Sequence, residues 1–186
     1  MTGESVARAK SNPQVVLRPQ DLVVLLRLSL EKGPSPTYAV LAGEICLTAS
    51  EIHAALERAA LAQLARKDAS GKASVVRDAL LLFIQHGARY AFPATRGGMT
   101  RGMPTGYAAA PLKDKIVQPN EPPPVWPHKH GTVRGEALHP LYPSVPEAAA
   151  SNPALYELLA LFDAVRGGSP REHALALPLL AERMVA

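Results

Sequence analysis

Ten of the eighteen prolines in this 186-residue chain fall between Pro104 and Pro146. Each proline removes a backbone N–H and fixes its own φ, so the stretch excludes a helix interior and a central strand. Helical structure is thereby confined to a head before it and a tail after it. The stretch is not low-complexity linker, because Tyr107, Ile116, Val125, Trp126, Leu138, Leu141 and Tyr142 interrupt it regularly. Spaced apolar anchors on extended backbone predict an arm that lies along a surface, its own domain's or a partner protein's. Trp126, Leu141 and Tyr142 are the candidate anchors. Residues 94–150, which begin with the glycine-rich run ATRGGMTRGMPTGYAAAP, form this Gly/Pro-rich segment.

The head is organised around Pro36 to Lys67. Tyr38, Leu41, Ala42 and Ile45 recur at helical spacing, Cys46-Leu47 reads as a tight turn, and a longer helix follows. Thr48-Ala49-Ser50-Glu51 is a capping box, in which the Thr48 hydroxyl accepts from a first-turn N–H and Glu51 reaches back. Ile52, Ala55, Leu56, Ala59 and Leu64 keep one face of the second helix apolar, with Ser50, His53, Glu57 and Arg58 mostly on the other. The small Ala42 at the helix contact, Leu47 in the turn and buried Ile52 and Leu56 resemble the helix-turn-helix of bacterial winged-helix regulators. Those proteins usually carry glycine where Cys46 stands, because the chain turns left-handed there, and commonly glycine again at Gln63.

The resemblance implies a DNA-binding regulator that acts as a homodimer on double-stranded DNA, with Thr48 to Lys67 entering the major groove. Thr48, Ala49, Ser50, His53 and Ala54 would lie toward base edges, and Glu57 would pair with an arginine or accept from a cytosine amino group. Arg58, Arg66, Lys67 and Lys72 would reach phosphates. A second basic element, Arg96 to Gly102, places Arg96 and Arg101 on a glycine-rich loop that could clamp phosphates or enter a minor groove; as a solvated surface turn it would do neither. The build of head, arm and tail is also that of antitoxin-like regulators, whose extended segment wraps a partner. A helix carrying a single arginine and a single histidine is electrostatically poor for DNA, so an adaptor that uses the head for protein contact stands as the alternative.

Around this core, the expected elements are a loose N-terminal arm (residues 1–14) and a winged domain (15–93). That domain would hold a short strand at Val15-Val16-Leu17, a bracing helix from Pro19 to Glu31, and a stubby hairpin about Asp68 to Lys72. A helix from Arg77 to His86, stopped by a left-handed Gly87, and a strand at Arg89 to Phe92 would complete it. The tail (151–186) reads as a helical hairpin. Asn152-Pro153 and Ser169-Pro170 start its helices, Gly167-Gly168 separates them, and Pro178 should kink or shorten the second. The fold expected is mainly α, with an α+β winged-helix head, a proline-rich extended arm and a C-terminal helical pair.

Composition sets the remaining bounds. The chain is 47% hydrophobic but 5% aromatic, so Ala, Leu and Val supply the core; the net charge of +4 permits nucleic acid without requiring it. The lone Cys46 excludes an internal disulfide and suits a reducing, cytoplasmic setting, where its small side chain is expected to be buried. No run of 18 apolar residues or signal-peptide core is present, so no membrane role is expected. His128, His130 and His139, with only Glu136 nearby, make a poor metal shell. No nucleophile elbow, paired acidic motif or nucleotide-binding glycine loop occurs, so neither an enzyme nor a cofactor is expected.

Overall fold

The computed structural model describes residues 14–185, so nearly all of the N-terminal arm lies outside the described residues. Within them the chain is α+β, with eight α-helices and two small sheets. The first helix, α1 (Pro19–Ser29), is buried along nearly its whole length: Leu22 to Leu26 have no exposed surface, and its Asp21 and Arg27 are buried with them. A helix buried all round is enclosed by its neighbours. Helices α2 (Tyr38–Ile45) and α3 (Ala49–Leu61) cover one side of α1, and α7 (Pro153–Gly167) and α8 (Pro170–Val185) another.

After α3, the strands β1 (Ala65–Lys67) and β2 (Ala73–Val75) form an antiparallel hairpin in the register Ala65–Val75, with Gly71 at φ 80° in its turn. Helix α4 (Arg77–His86) follows. Arg77 at its start donates to the carbonyls of Ser29 (3.2 Å) and Glu31 (2.7 Å), which closes the end of α1. Three local expectations are corrected here. No strand forms at Val15 to Leu17. Gly87 has φ −112°, not left-handed, and Arg89 to Ala91 belong to a short helix, α5 (Ala88–Ala91), which Phe92 ends, instead of a strand. The left-handed stop is unnecessary because the chain continues helically, which carries Phe92 into the core against Phe83.

The Gly/Pro-rich segment contains regular structure. Strand β3 (Arg96–Pro104) pairs antiparallel with both β4 (Pro124–Pro127) and β5 (Val133–Leu138), while β4 and β5 run parallel, so the three strands close on one another. Prolines fit this ladder because they serve it as acceptors: Pro123 O receives the Glu136 N–H and Pro124 O the Thr105 N–H, both at 2.9 Å. Pro124 and Pro127 stand at the strand's ends, where a missing donor costs least. Closure brings backbones very near, and a Cβ on Gly102 would lie 1.9 Å from Trp126 O, one on Gly135 2.0 Å from Pro123 O. Glycine alone fits at these crossings.

This sheet is seated on α7. Asp163 Oδ2 accepts from Trp126 Nε1 at 2.6 Å and from the Thr105 hydroxyl at 2.8 Å. Its Oδ1 accepts from Arg166 Nε at 2.7 Å, and the same guanidinium donates to the carbonyls of Phe92 and His139. Asp163 and Arg166 are 2% and 6% exposed, so the pair is desolvated and every polar group depends on the others. Tyr156, whose ring lies 5.6 Å from that of Trp126, donates its hydroxyl to Pro104 O at 2.6 Å.

Helix α6 (Val145–Ser151) then leads into α7. Asn152 accepts from the Leu155 N–H at 3.0 Å and Gly168 closes the far end, as the sequence implied. Ser169 and Glu172 form the box that starts α8. Pro178 does not shorten α8, which runs through it to Val185. Ala176, Leu180 and Met184 are buried on its inner side while Pro178 is exposed. Removing Asp163 would strand Arg166 and the Trp126 N–H in the core. Asp163→Ala is therefore expected to cost about 3–5 kcal/mol in urea unfolding, against about 1 kcal/mol for Thr105→Val, which leaves the ion pair intact.

Candidate nucleic-acid interface

Helices α2 and α3 meet at 103° across the turn Cys46-Leu47-Thr48. Thr37 caps α2, and Cys46 ends it at φ 54°, ψ 47°, in the left-handed region. The Leu47 N–H then bonds Ala42 O at 3.0 Å, which satisfies a carbonyl the helix leaves open. At the far end of α3, Gln63 is again left-handed, at φ 60°. The two positions where glycine would be usual are thus the two described non-glycine residues with positive φ. Cys46 is exposed, not buried as a small apolar side chain, because the turn aims it outward.

The capping box forms as read from the sequence. The Thr48 N–H and hydroxyl both donate to Glu51 Oε2 at 2.8 Å, and the Glu51 N–H donates to Thr48 Oγ1 at 3.2 Å. The Thr48 backbone bond, then its hydroxyl, holds the Glu51 carboxyl below the ordinary glutamate value. A depressed carboxylate stabilises the folded state above its unfolded pKa, so this contribution fades as pH falls below about 4.3.

Ile52, Ala55, Leu56 and Ala59 of α3 are buried against α1 and α2. Ala49, Ser50, His53 and Glu57 are exposed, and Ala54 is half-buried. Thr48 is exposed too, but its hydroxyl is committed to the box. His53 is held in place: its ring meets the edge of Tyr38 at 5.9 Å between centroids, and its Nε2 lies 3.4 Å from Glu57 Oε1. Tyr38 also donates to Gly71 O at 3.2 Å, linking α2 to the tip of the β1–β2 hairpin. Its helical spacing marked it only as an apolar-stripe residue.

Not all the expected cations are available. Arg58 donates through Nε (2.8 Å) and Nη2 (2.6 Å) to both oxygens of fully buried Asp21. This fork neutralises a core carboxylate, so Arg58 is corrected from a phosphate contact to a brace between α3 and α1. Lys67 is bonded to Glu57, whose carboxylate raises the Lys67 pKa. Arg66 and Lys72 on the hairpin remain exposed. Arg96 is paired with Glu136, whereas Arg101 is exposed and faces Arg134 across the ladder.

The expected partner anchors lie in the chain's own core. Trp126 and Leu141 are 1% and 7% exposed, and Tyr142 is half-buried, so the arm docks in cis, where Asp163 completes the indole's hydrogen bond. His128 bonds Glu147 at 2.9 Å and its ring lies 5.6 Å from that of His130. No three metal-ligating side chains converge among the described residues. No described helix is long and apolar enough to cross a membrane. No protein family, curated protein or solved structure matched the chain.

Left-handed backbone costs a non-glycine residue roughly 1–2 kcal/mol. Gln63→Gly and Cys46→Gly should each raise stability by about 1 kcal/mol in urea unfolding. Arg58→Ala should lower it by about 3 kcal/mol, because Asp21 is left buried and unpaired.

Proposed function

We propose that the chain is a sequence-specific DNA-binding regulator of winged helix-turn-helix type. The observation that carries this reading is the 103° crossing of α2 and α3, joined by a three-residue turn, with the first turns of α3 exposed. Helix-turn-helix motifs cross at about 90–120° and present the start of the second helix to base edges. Ala49, Ser50 and His53 would meet bases, Ala54 and Glu57 would lie at the margin, and Arg66 and Lys72 on the hairpin would contact phosphates as a wing. The pairing of Glu57 with Lys67 supports the reading, since it removes the charge that would most repel a phosphate. A homodimer would match a palindromic operator.

The test is fluorescence anisotropy of the protein on its own upstream DNA and on scrambled DNA, at two salt concentrations. Specific binding that weakens with salt is expected, because bound cations release counterions. Ser50→Ala combined with His53→Ala should reduce the preference about tenfold or more, with unchanged helical content. Equal affinity for both DNAs would defeat the reading.

A second reading has its own support. A shallow groove of about 490 Å³, lined by Ala60, Ala62, Ala65, Ala79 and Val76 with Gln63 and Arg66, lies at the end of α3, and neighbouring Leu61 is 67% exposed. An adaptor would use this apolar edge for protein contact, and would retain its complex after the Ser50 and His53 substitutions.

A further inference from the structure

Arg101 on β3 and Arg134 on β5 are directly opposite partners in the antiparallel ladder, and both are exposed. Such partners hold their Cβ atoms about 4.5–5.5 Å apart, and like charges there destabilise the sheet. Two neighbouring carboxylates are already engaged, while exposed Glu121 lines the adjoining depression with Met99 and Glu136 and does not line the one that holds the arginines. Glu136, two residues from Arg134, is bonded to Arg96, and Glu147 to His128. More positive charge adjoins the pair. The His128 N–H donates to Arg101 O at 3.3 Å, which anchors the β4–β5 turn beside it, and Lys129 of that turn is exposed.

Met99, Thr100, Arg101 and Arg134 together line an open depression of about 230 Å³. We propose that Arg101 and Arg134 form a phosphate clamp for a nucleic-acid backbone, with Lys129 at its margin. Two guanidinium forks on one sheet face can each give a phosphodiester paired, charge-assisted bonds. The shallow, open shape suits a passing polyanion better than an enclosed small ligand, and the half-exposed Met99 gives a sugar an apolar surface. An anion between the arginines also relieves their repulsion. The clamp takes its duplex from the DNA-binding reading but uses residues outside α3, on a different sheet from the hairpin.

The experiment measures the salt dependence of binding to upstream and scrambled DNA for the wild type, R101Q/R134Q and S50A/H53A, each confirmed as folded by circular dichroism. Each phosphate contact contributes about 0.9 to the slope of log K against log salt, so R101Q/R134Q should lower it by about 1.8 and leave the sequence preference intact. An unchanged slope in that variant overturns the clamp while the helix reading stands. A lowered slope, with S50A/H53A keeping the preference, upholds the clamp and defeats the helix reading. Failure of the wild type to bind either duplex at about 50 mM salt overturns both. A second readout needs no DNA: Arg134→Glu should raise the thermal midpoint by converting the repelling pair into an ion pair, and an unchanged or lower midpoint contradicts the strained pair on which the clamp rests.

Discussion

One carboxylate ties the two halves of this chain together. Asp163 projects from α7 into a site reached from three directions: by Trp126 from the sheet, by Thr105 from the end of β3, and by Arg166 one turn along its own helix. Through Arg166 it also governs the backbone carbonyls of Phe92 and His139, which flank the entrance and exit of the sheet. A charge buried this deeply is tolerable only when it is paired and hydrogen-bonded. The proline-rich segment is therefore held by a polar lock as well as by apolar burial, and the lock specifies one docking position where greasy contacts alone would permit several.

A comparable economy of charge shapes the candidate interface. The exposed side of α3 is nearly neutral because its cations have been used internally: Arg58 neutralises Asp21 under the helix and Lys67 neutralises Glu57 above it. Among the described residues, exposed cations outside any ion pair stand on the hairpin, at Arg66 and Lys72, and on the three-stranded sheet, at Arg101 and Arg134. Under the proposed DNA-binding function, base recognition and phosphate attraction would fall to different elements, with the helix reading and the hairpin and sheet holding.

The helix-turn-helix geometry was legible in the sequence because its determinants are local. The Thr48–Glu51 box spans three residues and the apolar spacing of α3 a few turns, and both appear in place. Cys46 and Gln63 show the same legibility, since a position where glycine is usual announces a left-handed backbone even when another residue occupies it. The sheet was hidden for the opposite reason. Proline density reads as a loss of donors, yet β4 needs chiefly to accept, and its closure depends on Gly102 and Gly135 meeting strands far away in sequence. The roles of Arg58 and Trp126 were hidden likewise, because each is decided by a carboxylate 37 residues distant that no local pattern names.

The enclosure of α1 has a consequence for the chain as a unit of inheritance. Its apolar surface is divided between the helix-turn-helix pair on one side and the tail helices on the other. A fragment ending near Pro93 would bare one flank of α1 to water, together with Phe92. Helices α2 and α3 are thus not a cassette that recombination could lift out and splice to another effector. New partners or ligands would have to be acquired by remodelling exposed turns in place, such as the one from Asp68 to Lys72.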